Sequence, residues 1–481
     1  MKIVLVSAND NYLKKMNTAP LGLLYVASAL EAVGHEVVVI DSQNEELDNK
    51  SITKKIISIN PDVVGITGTT ENRFVVIDLF KAIKQVLPHV LTVWGGPHAT
   101  LTFRDAIDKV RDVDVIVKGE GEITAPEFLE AYIKRYDFGK VQGIIYRDND
   151  GRIIETADRP FIDNLDALPL PARHLVDMDK YIVTVEGEYK TRAAGIISLR
   201  GCPYECYFCA NRALGLRKVR KRSPENVVAE IEYIINKYKI DGFNFWDDSF
   251  TIDEAHLRDI CFLIIKRGLN IKWFARAPVN TINAENIRLM RKAGCVSIGI
   301  GAESGSEKVL RAMNKTLSLN LLEAANVALN EGMVVKCTFM VSLPEETEDD
   351  LRLTFDLMDR LKKKKVVAFY SFTRIYPMTK FEYLAKERSV IPKDFSWNSP
   401  YEFKDAELLG SNPSLPMYSN GLMTHADIKF YVARRQNSLM GLLFKGLKKI
   451  FCARNMSDIK ILIHFIKELF HKKTRFGNEP K

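Results

Sequence analysis

Nowhere in this 481-residue chain do roughly 18–20 apolar residues run uninterrupted, so no membrane-spanning helix is expected. The first residues, Met1-Lys2-Ile3-Val4-Leu5-Val6, lack a small-residue cleavage site and read straight into a β-strand. A secretory leader is therefore not expected, and the cytoplasm is the expected compartment. Cysteine is scarce and odd in number: there are seven, none before Cys202, and three fall between positions 202 and 209. A disulfide scaffold would spread them, so the cluster reads as a metal site. A strong charge of one sign is missing too: the net charge of +8 is mild for this length, and its distribution matters more than its size. No internal repeat exists beyond an alternation of strand and helix. What the chain does have is ample apolar material, 46% of residues, and enough length for two domains and an appendage.

The first 135 or so residues alternate strand and helix. Short β-branched runs at 3–6, 36–40, 63–67, 91–94 and 113–117 have the pattern of strands buried on both faces. Helical segments at 21–32, 52–59, 74–86 and 125–136 separate or follow them, which predicts a parallel, doubly wound, Rossmann-like sheet. Residues 141–156 read as a hairpin turning at Asp148-Asn149-Asp150-Gly151. The proline-bearing stretch 165–172 then marks a boundary. A second alternating series runs from about 195 to 385, with strands at 196–199, 242–247, 271–276, 296–301, 335–341 and 367–375. Six strand–helix units predict a partial α/β barrel with its chemistry at the C-terminal strand ends. The expected division is 1–138, a hairpin and linker over 139–190, the barrel over 191–388, and a mostly helical basic region over 389–481.

The decisive stretch is Arg200-Gly201-Cys202-Pro203-Tyr204-Glu205-Cys206-Tyr207-Phe208-Cys209-Ala210-Asn211. Gaps of three and two residues let the thiolates of Cys202, Cys206 and Cys209 point at one face of a four-iron cubane, leaving the fourth iron open to a chelating ligand. A zinc site would need a fourth ligand, and the nearest candidates downstream are His256 and Cys261. Carboxylates also fall at other strand ends: Asp247 and Asp248 after the second barrel strand, and Glu303 in Gly301-Ala302-Glu303-Ser304-Gly305 after the fourth. Capping of the following helix is an equally good reading of Asp248.

The cysteine spacing, with an aromatic residue before the last thiol, resembles the radical S-adenosylmethionine (SAM) superfamily. The resemblance implies a [4Fe-4S] cluster whose open iron binds the amino and carboxylate groups of SAM. One electron then breaks a carbon–sulfur bond to give methionine and a 5′-deoxyadenosyl radical. It also implies that Phe208 packs near the adenine and that Asp248, Glu303, Ser342 and Pro344 contact SAM. Ser342, Glu345 and Met378 stand where that family often has glycine, which puts the close backbone approach there in question.

Across residues 1–135 the front sheet resembles cobalamin-binding domains. The carrying blocks are Gly65-Ile66-Thr67-Gly68-Thr69-Thr70, Trp94-Gly95-Gly96-Pro97-His98-Ala99 and Lys118-Gly119-Glu120-Gly121-Glu122, each just after a strand. Small residues there let a flat corrinoid and its nucleotide tail lie against bare backbone. The resemblance makes Thr67, Gly68, Thr69, Gly95, Gly96, His98, Gly119 and Glu120 the expected cobalamin contacts, with His98 equally readable as a structural histidine. The loop 7–22 has no histidine where many cobalamin domains carry the cobalt ligand, which implies a withdrawn tail and no histidine on cobalt.

From Lys429 onward the only acids are Asp458, Glu468 and Glu479, and stretches 439–451 and 459–470 read as helices with apolar stripes and basic faces. The pattern favours a helical cap with a solvated basic face over helices lying on an anionic membrane surface; no nucleic-acid module is recognisable. The expected function is that of a cobalamin-dependent radical SAM enzyme, methylating or otherwise transforming an unactivated carbon of a small molecule such as a lipid or tetrapyrrole. Its electron donor is expected to be of the flavodoxin or ferredoxin type. The alternatives are a radical SAM oxidoreductase or cyclase whose front domain binds substrate without cobalamin, and a non-enzymatic cobalamin or redox sensor. A methylthiotransferase would want a second cysteine set near the N-terminus, where there is none.

Overall fold

The computed structural model describes residues 1–8, 18–148, 150–181, 183–315, 320–403, 412 and 414–435. The expected helices at 439–451 and 459–470 lie outside the described residues.

The first sheet is built from β1 (Lys2–Ser7), α1 (Leu21–Ala32), β2 (Glu36–Asp41), α2 (Asn49–Ile59), β3 (Val63–Thr67), α3 (Arg73–Val86), β4 (Leu91–Gly95), α4 (Pro97–Lys109), β5 (Val115–Val117) and α5 (Gly121–Lys134). Its parallel strands run in the order β2-β1-β3-β4-β5. The order reverses between β1 and β3, which opens a crevice at the carboxyl ends of the strands. Both faces are buried. One packs through Val4, Val6, Ile66 and Trp94. The other packs through Ile3, Leu5, Leu24, Phe128 and Leu129, the last two on α5. That two-sided burial is why the strands read as continuous apolar runs. The hairpin β6 (Ile144–Arg147) and β7 (Ile153–Glu155) continues this sheet in antiparallel sense past β5. The sheet is thus mixed rather than wholly parallel.

The second sheet begins with β8 (Thr184–Val185) and β9 (Glu188–Ile196). The first barrel strand is therefore β9, earlier than the 196–199 read from sequence, because Glu188–Arg192 is polar and gives no apolar signal. Past Ile196 the chain bends into β10 (Leu199–Arg200), which pairs with β11 (Arg220–Lys221) and brackets the cysteine loop and the short helix α6 (Ala210–Ala213). Five more strands follow with their helices: α7 (Pro224–Tyr238), β12 (Gly242–Phe245), α8 (Glu254–Lys266), β13 (Lys272–Arg276), α9 (Ala284–Lys292) and β14 (Cys295–Glu303). Then come α10 (Glu307–Ala312), α11 (Leu321–Asn330), β15 (Val334–Val341), α12 (Glu348–Lys363), β16 (Val367–Phe372) and α13 (Lys380–Glu387). Strand order equals chain order from β9 to β16, all parallel, with β8 and β16 at the two edges of an open half-barrel. Helix starts are set locally: Ser223, Asp253 and Ser306 each cap a helix by accepting a backbone N–H, and Thr347 with Asp350 forms a capping box. Residues 419–481 form a separate unit, of which helix His425–Arg435 is described. Among the described residues no helix is long and apolar enough to cross a membrane.

Candidate active site

The cysteine loop is held at both ends. Gly201 has φ +100°, and a Cβ there would lie 2.4 Å from the Lys218 carbonyl, so only glycine fits this turn. The Cys202 amide donates to the Leu216 carbonyl at 2.8 Å, and the Tyr207 amide donates to the Met313 carbonyl at 3.0 Å. Before the loop, the fully buried Asp247 carboxylate accepts from the Ser198 amide (2.7 Å), the Ser198 hydroxyl (2.5 Å) and the Leu199 amide (3.1 Å). Burial raises its pKa to about 6 despite those bonds. Among the described residues no three His, Cys, Asp or Glu side chains form a cage for a single metal ion. Three thiolates that each hold a different iron of a cubane need no such cage. Burial pushes all three thiols up, Cys206 to about 11, and the nearby Lys315 ammonium opposes this.

The residues expected to meet SAM surround this loop. Asp248 is exposed on the cavity lining, and its partial desolvation there raises its carboxyl above the ordinary value, opposed by bonds from Asn211 and Gly201 and by the Arg276 charge. Glu303 is buried, 3.4 Å from Lys315 Nζ, and also raised by burial. Phe208 packs on Phe381 with ring centroids 6.2 Å apart, beside Met340 and Leu343. Pro344 is buried. Ser342 is buried as well, its hydroxyl donating to the Tyr418 carbonyl at 2.7 Å and its amide to Glu346 at 2.7 Å. Ser342, Glu345 and Met378 adopt φ of 64°, 61° and 59°. The glycine-type backbone survives without the glycine, at a cost in strain.

A cavity of about 430 Å³ joins the two sheets. One part is bounded by Thr67, Gly95, Gly96, Gly119 and Glu120 at the ends of β3, β4 and β5, and faces Gly201, Asn211, Trp246 and Asp248 of the barrel. The other part is an apolar slot between the first sheet and helices α1 and α5, walled by Ile3, Leu5, Leu23, Leu30, Phe128 and Leu129. Where a Cβ would stand on Gly95 or Gly119 there is open space, and a Cβ on Gly96, at φ +90°, would lie 2.3 Å from Thr67 Oγ1. Bare backbone edges beside an apolar slot fit a flat corrinoid and its nucleotide tail. Among the described residues no histidine lines the cavity.

Not every expected contact is on that wall. His98 is fully buried in the first turn of α4, its Nδ1 3.2 Å from Thr70 Oγ1 and its Nε2 3.2 Å from Asn398 Oδ1. Burial lowers its pKa to about 3, so it is neutral. It is a core histidine rather than a wall residue, because α4 begins at Pro97 and turns the ring inward. Gly68 and Thr69 also lie off the wall: the Thr69 amide donates to Asn72 Oδ1 at 2.8 Å, and Gly68 backs onto Val76 and Asn72. Glu120 touches the cavity, yet its carboxylate accepts from Arg220 Nη1 (2.7 Å), Arg200 Nη1 (2.9 Å) and the Ile162 amide (2.8 Å). Arg200 also donates to Glu122 at 2.6 Å and lies 5.1 Å from the Tyr25 ring centroid. These groups join the loop after β5 to the residue beside the cysteine loop. Arg200 and Arg220 were not predictable as a clamp, although Arg200 stands next to Gly201-Cys202.

Comparison with known proteins agrees with this geometry. Residues 15–129 match the B12 binding domain family and residues 196–358 the radical SAM superfamily. An uncharacterised methyltransferase of Pyrococcus horikoshii is 32% identical over 387 residues, 78% of this chain and 81% of that protein. The anaerobic magnesium-protoporphyrin IX monomethyl ester cyclase of Rubrivivax gelatinosus is 30% identical over 348 residues, 71% of this chain and 62% of that protein. The structure of the cobalamin-dependent SAM radical enzyme OxsB with aqua-cobalamin and SAM bound superposes with a TM-score of 0.72 at 17% identity, covering 97% of this chain and 70% of that one. With both sheets, the open cysteine loop and a shared cavity in place, the chain belongs to the cobalamin-binding radical SAM enzymes, whose cofactors are a [4Fe-4S] cluster, SAM and cobalamin.

Proposed function

We propose that this enzyme transfers a methyl group to an unactivated carbon of a small-molecule substrate. The observation that carries the reading is the single cavity bounded both by Gly95 and Gly119 of the corrinoid sheet and by Gly201 and Asp248 beside the cysteine loop. When bound, the cluster and SAM supply a hydrogen-abstracting radical and cobalamin supplies a methyl carrier. The protein's part is placement and the exclusion of water. Cys202, Cys206 and Cys209 hold the cluster, and Asp247 fixes the strand end from which they leave. Asp248 and the Glu303–Lys315 pair offer SAM hydrogen-bond acceptors and a cation, and Phe208 with Met340 and Leu343 offers its adenine an apolar face. On the corrinoid side Thr67, Gly95, Gly96 and Gly119 would form the bare wall against which cobalamin lies, a wall to which no described histidine contributes. The substrate class is a lipid or a tetrapyrrole, and the reductant is a small redox protein of the flavodoxin or ferredoxin type.

The test is anaerobic reconstitution followed by mass spectrometry of the SAM products, with and without hydroxocobalamin. The expected result is 5′-deoxyadenosine that disappears in Cys206→Ala, and S-adenosylhomocysteine that forms only with cobalamin. 5′-Deoxyadenosine with no cobalamin-dependent S-adenosylhomocysteine would replace methyl transfer by a cyclase-type reaction. No SAM cleavage in the reduced protein would make the chain a sensor.

A further inference from the structure

After β16 and α13 the chain crosses back to the corrinoid-binding sheet. Residues 396–398, 412 and 414–418 run from the barrel edge to the loops behind β3 and β4, and none of them lines the cavity. Arg73, the first residue of α3 and fully buried, spends its guanidinium on three carbonyl oxygens: Thr70 (2.6 Å), Trp397 (2.5 Å) and Ser414 (2.5 Å). A buried cation turned on backbone rather than on a carboxylate is costly to remove, because three carbonyls lose their donor at once. Asp105 of α4 takes the next segment: it accepts from the Ser396 hydroxyl at 2.9 Å, the Asn398 amide at 3.0 Å and Asn398 Nδ2 at 2.9 Å. That leaves Asn398 Oδ1 for His98, whose other nitrogen meets Thr70. Asn412 Nδ2 donates to the Glu71 carbonyl at 2.7 Å. At its far end the same segment is tied to the barrel. The Tyr418 amide donates to the Thr373 carbonyl (2.8 Å), the Ile375 amide to Pro416 (2.9 Å), and the Ser342 hydroxyl to Tyr418 (2.7 Å).

We infer that this strap is the positioning element of the corrinoid site. It holds the loops after β3 and β4 at a set distance from the ends of β15 and β16, with Arg73, Asp105 and Asn398 as the positioning residues. Thr67, Gly95 and Gly96 bound the cavity from the front, and Thr70 and His98, two or three residues further on, are gripped from behind. Corrinoid affinity therefore depends on a segment that touches no corrinoid. The inference rests on cobalamin occupying the cavity, which wild-type binding tests separately.

The experiment uses the full chain with its cluster reconstituted, hydroxocobalamin as the probe, and the double variant Ser396→Ala/Asn398→Ala, which alters no cavity residue. Affinity is read by equilibrium dialysis and corrin absorbance, and amide hydrogen exchange by mass spectrometry. The double variant is expected to bind hydroxocobalamin about tenfold more weakly at unchanged iron content, the scale of losing a hydrogen bond to a charged group. In the wild type, hydroxocobalamin alone is expected to slow exchange at 396–398 and 414–418, and in the variant this protection is lost. Asp105→Asn, made from the other side of the same contact, is expected to act in the same direction and carries the test if the double variant does not fold. A lowered unfolding temperature with cobalamin affinity unchanged, or no protection of the strap in the wild type, overturns the inference. Failure of the wild type to bind hydroxocobalamin at all overturns the cofactor assignment along with it.

Discussion

Replacing Glu120 separates its two readings, cofactor contact and interdomain clamp. Its side chain is 12% exposed and that of Arg220 only 2%, and the two meet at 2.7 Å. Removing the carboxylate in Glu120→Ala leaves a buried guanidinium uncompensated, which costs about 3–5 kcal/mol. Removing both charges in Glu120→Ala/Arg220→Met is expected to recover about half of that loss or more, because the unpaired cation disappears with its partner. Urea denaturation of the cluster-free protein reads this as a midpoint shift of about 1 M or more for the single variant. The pH dependence has a definite sign. Burial pushes the Glu120 carboxyl up, but Arg220, the Ile162 amide and Arg200 outweigh it and leave the pKa below the ordinary value. A carboxyl held low in the folded state adds stability that is fully present above its unfolded pKa of about 4.3 and is lost as pH falls below that. The difference between wild type and Glu120→Ala is thus expected to be constant from pH 6 to 8 and to shrink only in acid. A loss below about 1 kcal/mol, together with abolished cobalamin binding, would refute the clamp and return Glu120 to the role of cofactor contact.

Gly96→Ala places a methyl group 2.3 Å from Thr67 Oγ1 at φ +90°; hydroxocobalamin binding is expected to fall by about tenfold or more, and unchanged affinity in dialysis would contradict the bare-wall reading. At Ser342, Glu345 and Met378, relief of left-handed strain by about 1 kcal/mol competes with the greater freedom of glycine in the unfolded chain, about 0.5–1 kcal/mol. Met378, 47% exposed, has little packing to lose. Met378→Gly should therefore leave the thermal midpoint unchanged or slightly higher, whereas Ser342→Gly should lower it by losing the bond to Tyr418. Asp247 has a folded pKa of about 6, above its unfolded value, so its contribution is fully present below about pH 3.9 and is lost as pH rises through 6. Urea midpoints of Asp247→Asn are expected to depend less on pH between 4 and 7 than those of wild type; equal slopes would disprove that role.

Much of the site was legible because its chemistry needs short, local patterns. Three thiolates on one loop must be close in sequence, and bare backbone beside a cofactor must be glycine or a small residue directly after a strand. Strand and helix alternation followed from apolar periodicity, except at β9. There Glu188–Arg192 is polar, and the strand is stabilised by pairing with β8 and β12 rather than by an apolar signal. His98 was ambiguous for a different reason. Its Gly-Gly-Pro-His setting is the same whether the ring faces the cavity or the core, and the direction in which α4 carries it is a property of the packed helix.

By itself, then, the sequence determined the three-cysteine loop, the glycine-bearing strand ends, the two successive α/β units and a loop after β1 that holds no histidine. The tertiary structure decided what joins them. Glu120 meets Arg200 and Arg220 across 80 and 100 residues, and Arg73 meets Trp397 and Ser414 across 324 and 341. No local pattern encodes such contacts, because each partner is an ordinary charged or backbone group until folding buries it and leaves it one place to bond. The left-handed backbone at Ser342, Glu345 and Met378 is of the same kind. The residue types there argue against that conformation, and the surrounding strand ends impose it.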